Sequence, residues 1–274
     1  MSVAERMNQI QSAFLEAKGF ALITNHKEHL SVFLSAKSGD FSSIFFEGAS
    51  MGLALSSYNN TETLSEWYWL IEKYSGTHAS QIYVGLGWAI AELGIDPMPI
   101  VNGLNSSSGC RVIDGFGYYH GILRRRVAVE RQLIPDTVSS SFRPSFDQGL
   151  GRSFWYNAGG EIEPVLGKIA LFPKDRNPAF WRGIGVAITY VGGVSDTQIE
   201  TIKEASIPNL TNLKYGAVMA LVSRKKAGTS CEDSNAIVRY LVPNFNEIVG
   251  RVEQLEKEIN TNYLKTIEII ERLL

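Results

Sequence analysis

Phe146-Asp147-Gln148-Gly149-Leu150-Gly151-Arg152-Ser153-Phe154-Trp155 sets two glycines one residue apart at the head of an apolar run, and the arrangement recurs along the chain. Gly115-Phe116-Gly117 and Gly85-Leu86-Gly87 precede it, and Gly183-Ile184-Gly185 follows. The near variants Gly48-Ala49-Ser50 and Gly216-Ala217-Val218 stand at the two ends. From first glycine to first glycine the steps are 37, 30, 34, 34 and 33 residues. A unit of that length marks a stacked two-helix repeat. The expected fold is all-α: two-helix repeats stacked in a tetratricopeptide-like right-handed solenoid, closed by a long C-terminal helix.

Helix punctuation agrees. Ser145 with Gln148, Ser195 with Gln198, Thr229 with Glu232 and Asn244 with Glu247 have capping-box form, and Asn177-Pro178 places a capping residue ahead of a first-turn proline. The pattern predicts helices over 3–18, 27–36, 40–56, 62–74, 78–93, 97–104, 110–127, 145–158, 160–171, 178–191, 196–205, 210–225, 231–241 and 245–273. No sustained alternation of polarity points to a sheet. Glycine inside a helix costs about 0.8–1 kcal/mol relative to alanine, so its repeated pairing points to close approach of neighbouring backbones. The couplet helices then form the inner layer, with Trp88, Tyr118, Phe154, Trp155 and Tyr190 filling the spaces alongside. In the last helix Ile248, Val252, Leu255, Ile259, Tyr263, Ile267 and Ile270 make one apolar stripe, suited to capping the stack or to pairing with a second copy. The chain reads as one domain: an N-terminal cap (1–39), the couplet repeats (40–226) and C-terminal cap helices (227–274).

Composition narrows the function. The 274 residues are 45% hydrophobic and 20% charged, with a net charge of -2, a globular balance that argues against general nucleic-acid binding. One dense basic run, Arg124-Arg125-Arg126 with Arg131 after it, reads as a solvated helix end or as an anchor for a phosphate, a carboxylate or an acidic partner. Cys110 and Cys231 lack metal or disulfide spacing, so a reducing cytoplasm is expected and no metal site. No apolar stretch reaches the roughly 20 residues of a membrane span.

Nucleotide, zinc-protease and nucleophile-elbow motifs are absent, and the couplets lack the strand and third glycine of a dinucleotide fingerprint. Polar groups attached to the couplets remain. Glu47, Asp114 and Asp147 lie just before glycines, Arg182 takes the equivalent place in a fourth repeat, and Arg152 and His120 follow on the same helices. A charge on the most apolar helix of a repeat is paired, solvated in a groove or held for function. Two readings stand: inter-repeat ion pairs, or a pocket where these carboxylates converge with His120, Tyr118, Tyr119, Trp88, Trp155 and Trp181. His26, His29 and His78 read as surface or capping residues.

The strings YVGLGWAIAELG, DGFGYYHG, FDQGLGRSFW and WRGIGVAITYVGG resemble a bacterial family of unknown function named for enediyne biosynthesis, whose genes lie near polyketide-synthase clusters. The strongest match is Phe146 to Trp155, and Phe46-Glu47-Gly48-Ala49 also agrees; similarity covers roughly residues 40 to 225. The resemblance implies natural-product assembly on a polyene or another long apolar intermediate. Residue by residue it carries over Glu47, Asp114, His120, Asp147, Gln148, Arg152 and Arg182.

The expectation is a cofactor-independent enzyme of specialised metabolism that binds a polyene, terpenoid or polyketide chain. Asp147 leads as acid or base, Asp114 or Glu47 is the second carboxylate, Arg152 and His120 orient, and the aromatics form the walls and steady a developing cation if the reaction is a cyclisation. The alternatives are a non-catalytic adaptor holding a peptide or carrier-bound intermediate, and a homodimer organised by the C-terminal helix.

Overall fold

The computed structural model describes residues 1–24, 26–258 and 263–274, without the side chains of 253, 255–258 and 263–266. The described residues form helices α1 (Val3–Ile23), α2 (Lys27–Ser35), α3 (Ser42–Thr61), α4 (Ser65–Leu93), α5 (Met98–Val101), α6 (Ser106–Leu123), α7 (Arg143–Asn157), α8 (Ile162–Ile169), α9 (Asn177–Val191), α10 (Asp196–Ala205), α11 (Leu210–Lys226), α12 (Glu232–Leu241), α13 (Phe245–Glu258) and α14 (Tyr263–Leu273). There is no strand among them, and neighbouring helices pack in series as a helical-repeat solenoid.

The couplets build the inner layer. A Cβ at Gly149 would lie 1.9 Å from the Asp114 carbonyl oxygen on α6, and one at Gly151 would lie 2.3 Å from the Phe180 carbonyl oxygen on α9. Residues two apart in a helix point about 200° apart, so the first glycine admits the preceding helix and the second the following one. The same contacts join α3 to α4 at Gly85, α4 to α6 at Gly87 and Gly115, and α9 to α11 at Gly185 and Gly216. The variant copies now have reasons. In the first, Ser50 donates to the Ile82 carbonyl (2.6 Å) and accepts from Trp67 Nε1 (2.7 Å), stapling α3 to both halves of α4. In the last, α11 ends the inner series, and no further couplet helix demands a glycine where Val218 stands.

Helix α4 contains two of the expected helices. Trp67 and Tyr83 have ring centroids 5.8 Å apart, whereas sixteen residues of straight helix would span about 24 Å. The chain therefore folds back near His78, whose backbone leaves the helical region (φ -119, ψ 19). His78 is no surface residue: its ring stacks on Phe46 at 3.7 Å. Of the expected capping boxes, Ser195 with Gln198 forms. Ser145 is instead buried inside α7, which starts two residues earlier with Pro144 in its first turn, and Cys231 rather than Thr229 caps α12. Ser2 and Glu5 form an unforeseen box on α1.

Helix α1 joins the inner layer, since Gly48 and Gly52 of α3 sit against its Phe14 and Lys18 carbonyls. The stack curls until its ends meet. Ser43 on α3 hydrogen-bonds Tyr190 on α9, and Gln81 on α4 donates to Ser223 on α11 (3.0 Å). Two buried arginines close the seam. Arg6 donates to the Val191 carbonyl (2.5 Å) and pairs with Asp233 (2.9 Å), while Arg224 donates to the Tyr190 and Asp40 carbonyls (both 2.9 Å). Both guanidiniums lie over the Phe41 ring, at 5.0 and 5.6 Å. At the C-terminus the expected stripe is carried by α13 and α14, where Ile248, Val252, Ile267 and Ile270 are buried; Ile259 lies outside the described residues. Glu271 of α14 accepts from Asn212 (2.7 Å) and pairs with Arg182 (3.4 Å).

Candidate functional site

A cavity of about 560 Å³, mostly apolar in lining, lies between α1 and the inner faces of α3, α4, α6, α7, α9 and α11. That volume falls within the usual range of small-molecule sites. Its wall follows the repeat. The residue three after each first glycine lines it in all six copies: Met51, Trp88, Tyr118, Arg152, Val186 and Met219. The residue one before each lines it in five, namely Glu47, Val84, Asp114, Gln148 and Tyr215. Positions four apart share a helix face, so couplet packing itself fixes which side chains meet the interior.

The polar groups gather on one part of this wall. Arg152 donates from Nη1 to Asp114 Oδ1 (2.7 Å), Gln148 donates from Nε2 to Asp114 Oδ2 (2.6 Å), and the guanidinium lies 4.4 Å over the Tyr118 ring. Glu47 stands within electrostatic reach of both members of the pair. Burial pushes its carboxyl up from 4.5 to about 7; Arg152 opposes that rise and Asp114 adds to it. The Trp88 indole N–H lies close enough to favour the charged form but makes no hydrogen bond of ordinary geometry. Burial also raises the phenols of Tyr118 and Tyr156, whose rings are 5.5 Å apart. Trp88 Nε1, Arg152 Nε and Gln81 Oε1 are buried polar atoms without partners. Groups of that kind are normally satisfied, so three in one cavity wall are suited to a ligand's polar end.

The structure thus brings together Glu47, Asp114, Arg152, Gln148, Trp88 and Tyr118, and separates the other candidates from them. Asp147 does not reach the cavity. It takes a two-pronged pair from Arg176, Nε to Oδ2 at 2.9 Å and Nη2 to Oδ1 at 2.5 Å, and Arg176 also donates to the Gln132 carbonyl. Asp147 sits two residues before its glycine, about 100° away from the lining position. His120 packs among Phe116, Tyr119 and Phe146, and burial holds its imidazole down at about 4, so it is neutral at pH 7 and orients nothing in the cavity. Tyr119 donates to Glu92 (2.6 Å). Trp155 and Trp181 are buried outside the cavity, and Arg182 is drawn to Glu271. Gln81, Tyr156 and Tyr190 also line the cavity; the sequence names Tyr190 only as packing beside the couplets and does not point to Gln81 or Tyr156, although Tyr156 and Tyr190 stand four after the lining residues Arg152 and Val186, on the same helix face. Gln81 stands four before its glycine and seven before the lining residue Trp88, on the inner face that Ile44 and Arg111 share at the equivalent position, but no common residue type marks that position in the copies. Among the described residues no cluster of His, Cys, Asp and Glu is placed to hold a metal ion.

No curated protein and no solved structure matches the chain. The profile of the family described as "Protein of unknown function (DUF1702)" matches residues 1–260, nearly the full length, and the chain belongs to that family.

Proposed function

We propose that the protein binds an extended apolar small molecule in the inner cavity and performs acid/base chemistry on it without a cofactor, with Glu47 as the proton-exchanging group. The observation that carries this reading is the placement of Glu47. It is buried in the cavity wall, raised by that burial to a pKa of about 7, and within electrostatic reach of the Arg152–Asp114 pair. A carboxyl poised near neutrality both donates and accepts a proton at working pH. Arg152 and Gln148 orient a polar end of the ligand. Trp88 and Tyr118, with ring centroids 5.0 Å apart, present aromatic surface beside the reacting region and would steady a developing cation in a cyclisation. The family resemblance adds specialised metabolism, of polyene, terpenoid or polyketide chains, as the setting.

The adaptor reading requires a channel open along the concave side. Here α1 walls that side from Ala4 to Lys18, which favours a small molecule over a peptide. Native mass spectrometry of protein purified from its own host tests the proposal. A retained apolar molecule is expected, absent from the cavity-filling variant Met219→Trp and retained but not turned over by Glu47→Gln. An empty wild-type protein, or turnover that survives Glu47→Gln, would overturn the reading.

A further inference from the structure

The cavity opens at the C-terminal ends of the inner helices, where exposed Gln11 and Leu15 of α1 and Leu123 of α6 belong to both its lining and the outer surface. Leu15 is 53% and Leu123 58% exposed, and Leu22 and Ile23, farther along α1, are exposed as well. Arg124, Arg125 and Arg126 follow Leu123 directly, and Arg131 stands one turn on; all four are exposed. From 124 to 135 these four arginines meet one acid, Glu130. Among the described residues no ion pair joins Arg125, Arg126 or Arg131. Lys168 adds a further positive charge beside them: burial lowers its ammonium's pKa and the nearby Arg125 charge lowers it further. Beside them Val127, Leu133 and Leu171 are exposed, tied together by the Leu133 amide to the Val127 carbonyl (3.1 Å) and Gln132 Nε2 to the Leu171 carbonyl (2.5 Å).

We propose that this face docks on an anionic lipid bilayer, with the arginines on lipid phosphates and the leucines in the interfacial layer, so that the cavity mouth opens onto the membrane. Charge complementarity selects the partner. A chain of net charge -2 sets three consecutive exposed arginines at the rim of an apolar cavity, and the interspersed leucines suit an interface that is anionic outside and apolar within. A nucleic acid or an acidic polypeptide would use the arginines and leave the leucines in water. Among the described residues no helix is long and apolar enough to cross a membrane, so the contact is peripheral. The idea that the bilayer delivers the cavity's ligand rests on the function proposed above; the docking itself does not.

Co-sedimentation with extruded vesicles tests it, using phosphatidylcholine alone or mixed with phosphatidylglycerol. The protein is expected to pellet with the anionic vesicles at about 50 mM salt and to lose most of that binding, roughly fivefold or more, at about 0.5 M salt. The triple variant Arg124→Glu, Arg125→Glu, Arg126→Glu should lose it, and Leu123→Ser with Leu171→Ser should weaken it while the melting temperature holds. Glu47→Gln should bind vesicles as the wild type does, which keeps a failure of docking separate from a failure of the cavity chemistry. Failure to pellet with anionic vesicles, or binding that ignores the leucine changes and is matched by single-stranded RNA or polyglutamate, would overturn the proposal.

Discussion

Asp147 and Gln148 are consecutive in α7, yet Gln148 reaches across to Asp114 in the cavity wall at 2.6 Å while Asp147 turns to Arg176 on the other side of the helix. One residue of helix is about 100° of rotation, and that rotation divides a ligand-facing group from a structural one. Asp147→Asn is therefore expected to lower stability by roughly 3 kcal/mol, because Arg176 is left half-buried and under-paired. It should leave the cavity's ligand load unchanged, as urea denaturation alongside native mass spectrometry would show.

Within the cavity the same reasoning concerns the Arg152–Asp114 pair. Arg152→Met leaves the Asp114 charge buried and removes the cation that favours ionised Glu47, so the Glu47 carboxyl should titrate above its wild-type value near 7. Asp114→Asn should move it the other way. Difference infrared titration of the protonated carboxyl band would register both directions; equal shifts of the same sign would contradict the proposed geometry.

Stability should carry the mark of Glu47 as well. Its carboxyl titrates near 4.5 when unfolded and near 7 when folded, so the folded state holds a proton that the unfolded chain has released, and stability falls as pH rises through that window. The difference of about 2.5 units corresponds to on the order of 3 kcal/mol. Glu47→Gln should therefore gain relative to wild type between pH 4.5 and 7, by about that order.

His78 and His120 act in the opposite sense. Burial lowers each from 6.5 to about 4, so each contributes stability that is lost as pH falls from 6.5 toward 4. His120→Phe, which keeps the aromatic packing against Phe116 and Phe146, should reduce acid destabilisation with little change at pH 7. Denaturant midpoints at pH 5 and pH 7 would measure this.

Two glycine substitutions test the packing account. Gly149→Ala would force a methyl to within 1.9 Å of a carbonyl oxygen that belongs to a rigid neighbouring helix, and should cost roughly 3 kcal/mol or more. Gly167→Ala in α8 meets nothing within 4 Å and should stabilise by up to about 1 kcal/mol.

Much of this architecture could be read from the chain. The glycine spacing specified the inner helices and their order, because only a residue without Cβ lets backbones meet at such distances, and that requirement is local. The helix boundaries agree over most of the described residues for the same reason. The site was legible in part. Glu47 and Asp114 could be singled out as charges on apolar helices, but grouping Asp147 with them overlooked its offset of one residue, and Gln81 was marked only by its helix face, since no common residue type fills its position in the other copies.

Sequence alone thus determined the repeat, the inner layer and the helix face that looks inward, all consequences of helical periodicity and of where a side chain is missing. The tertiary structure decided the rest. The curl that seats Tyr190 against Ser43 and Gln81, the pairing of Arg152 with Asp114 rather than Asp147, and the burial that holds Glu47 near neutrality depend on residues tens to more than a hundred positions apart. Those separations are set by how several helices sum their packing angles around a common cavity, and no local pattern encodes that sum.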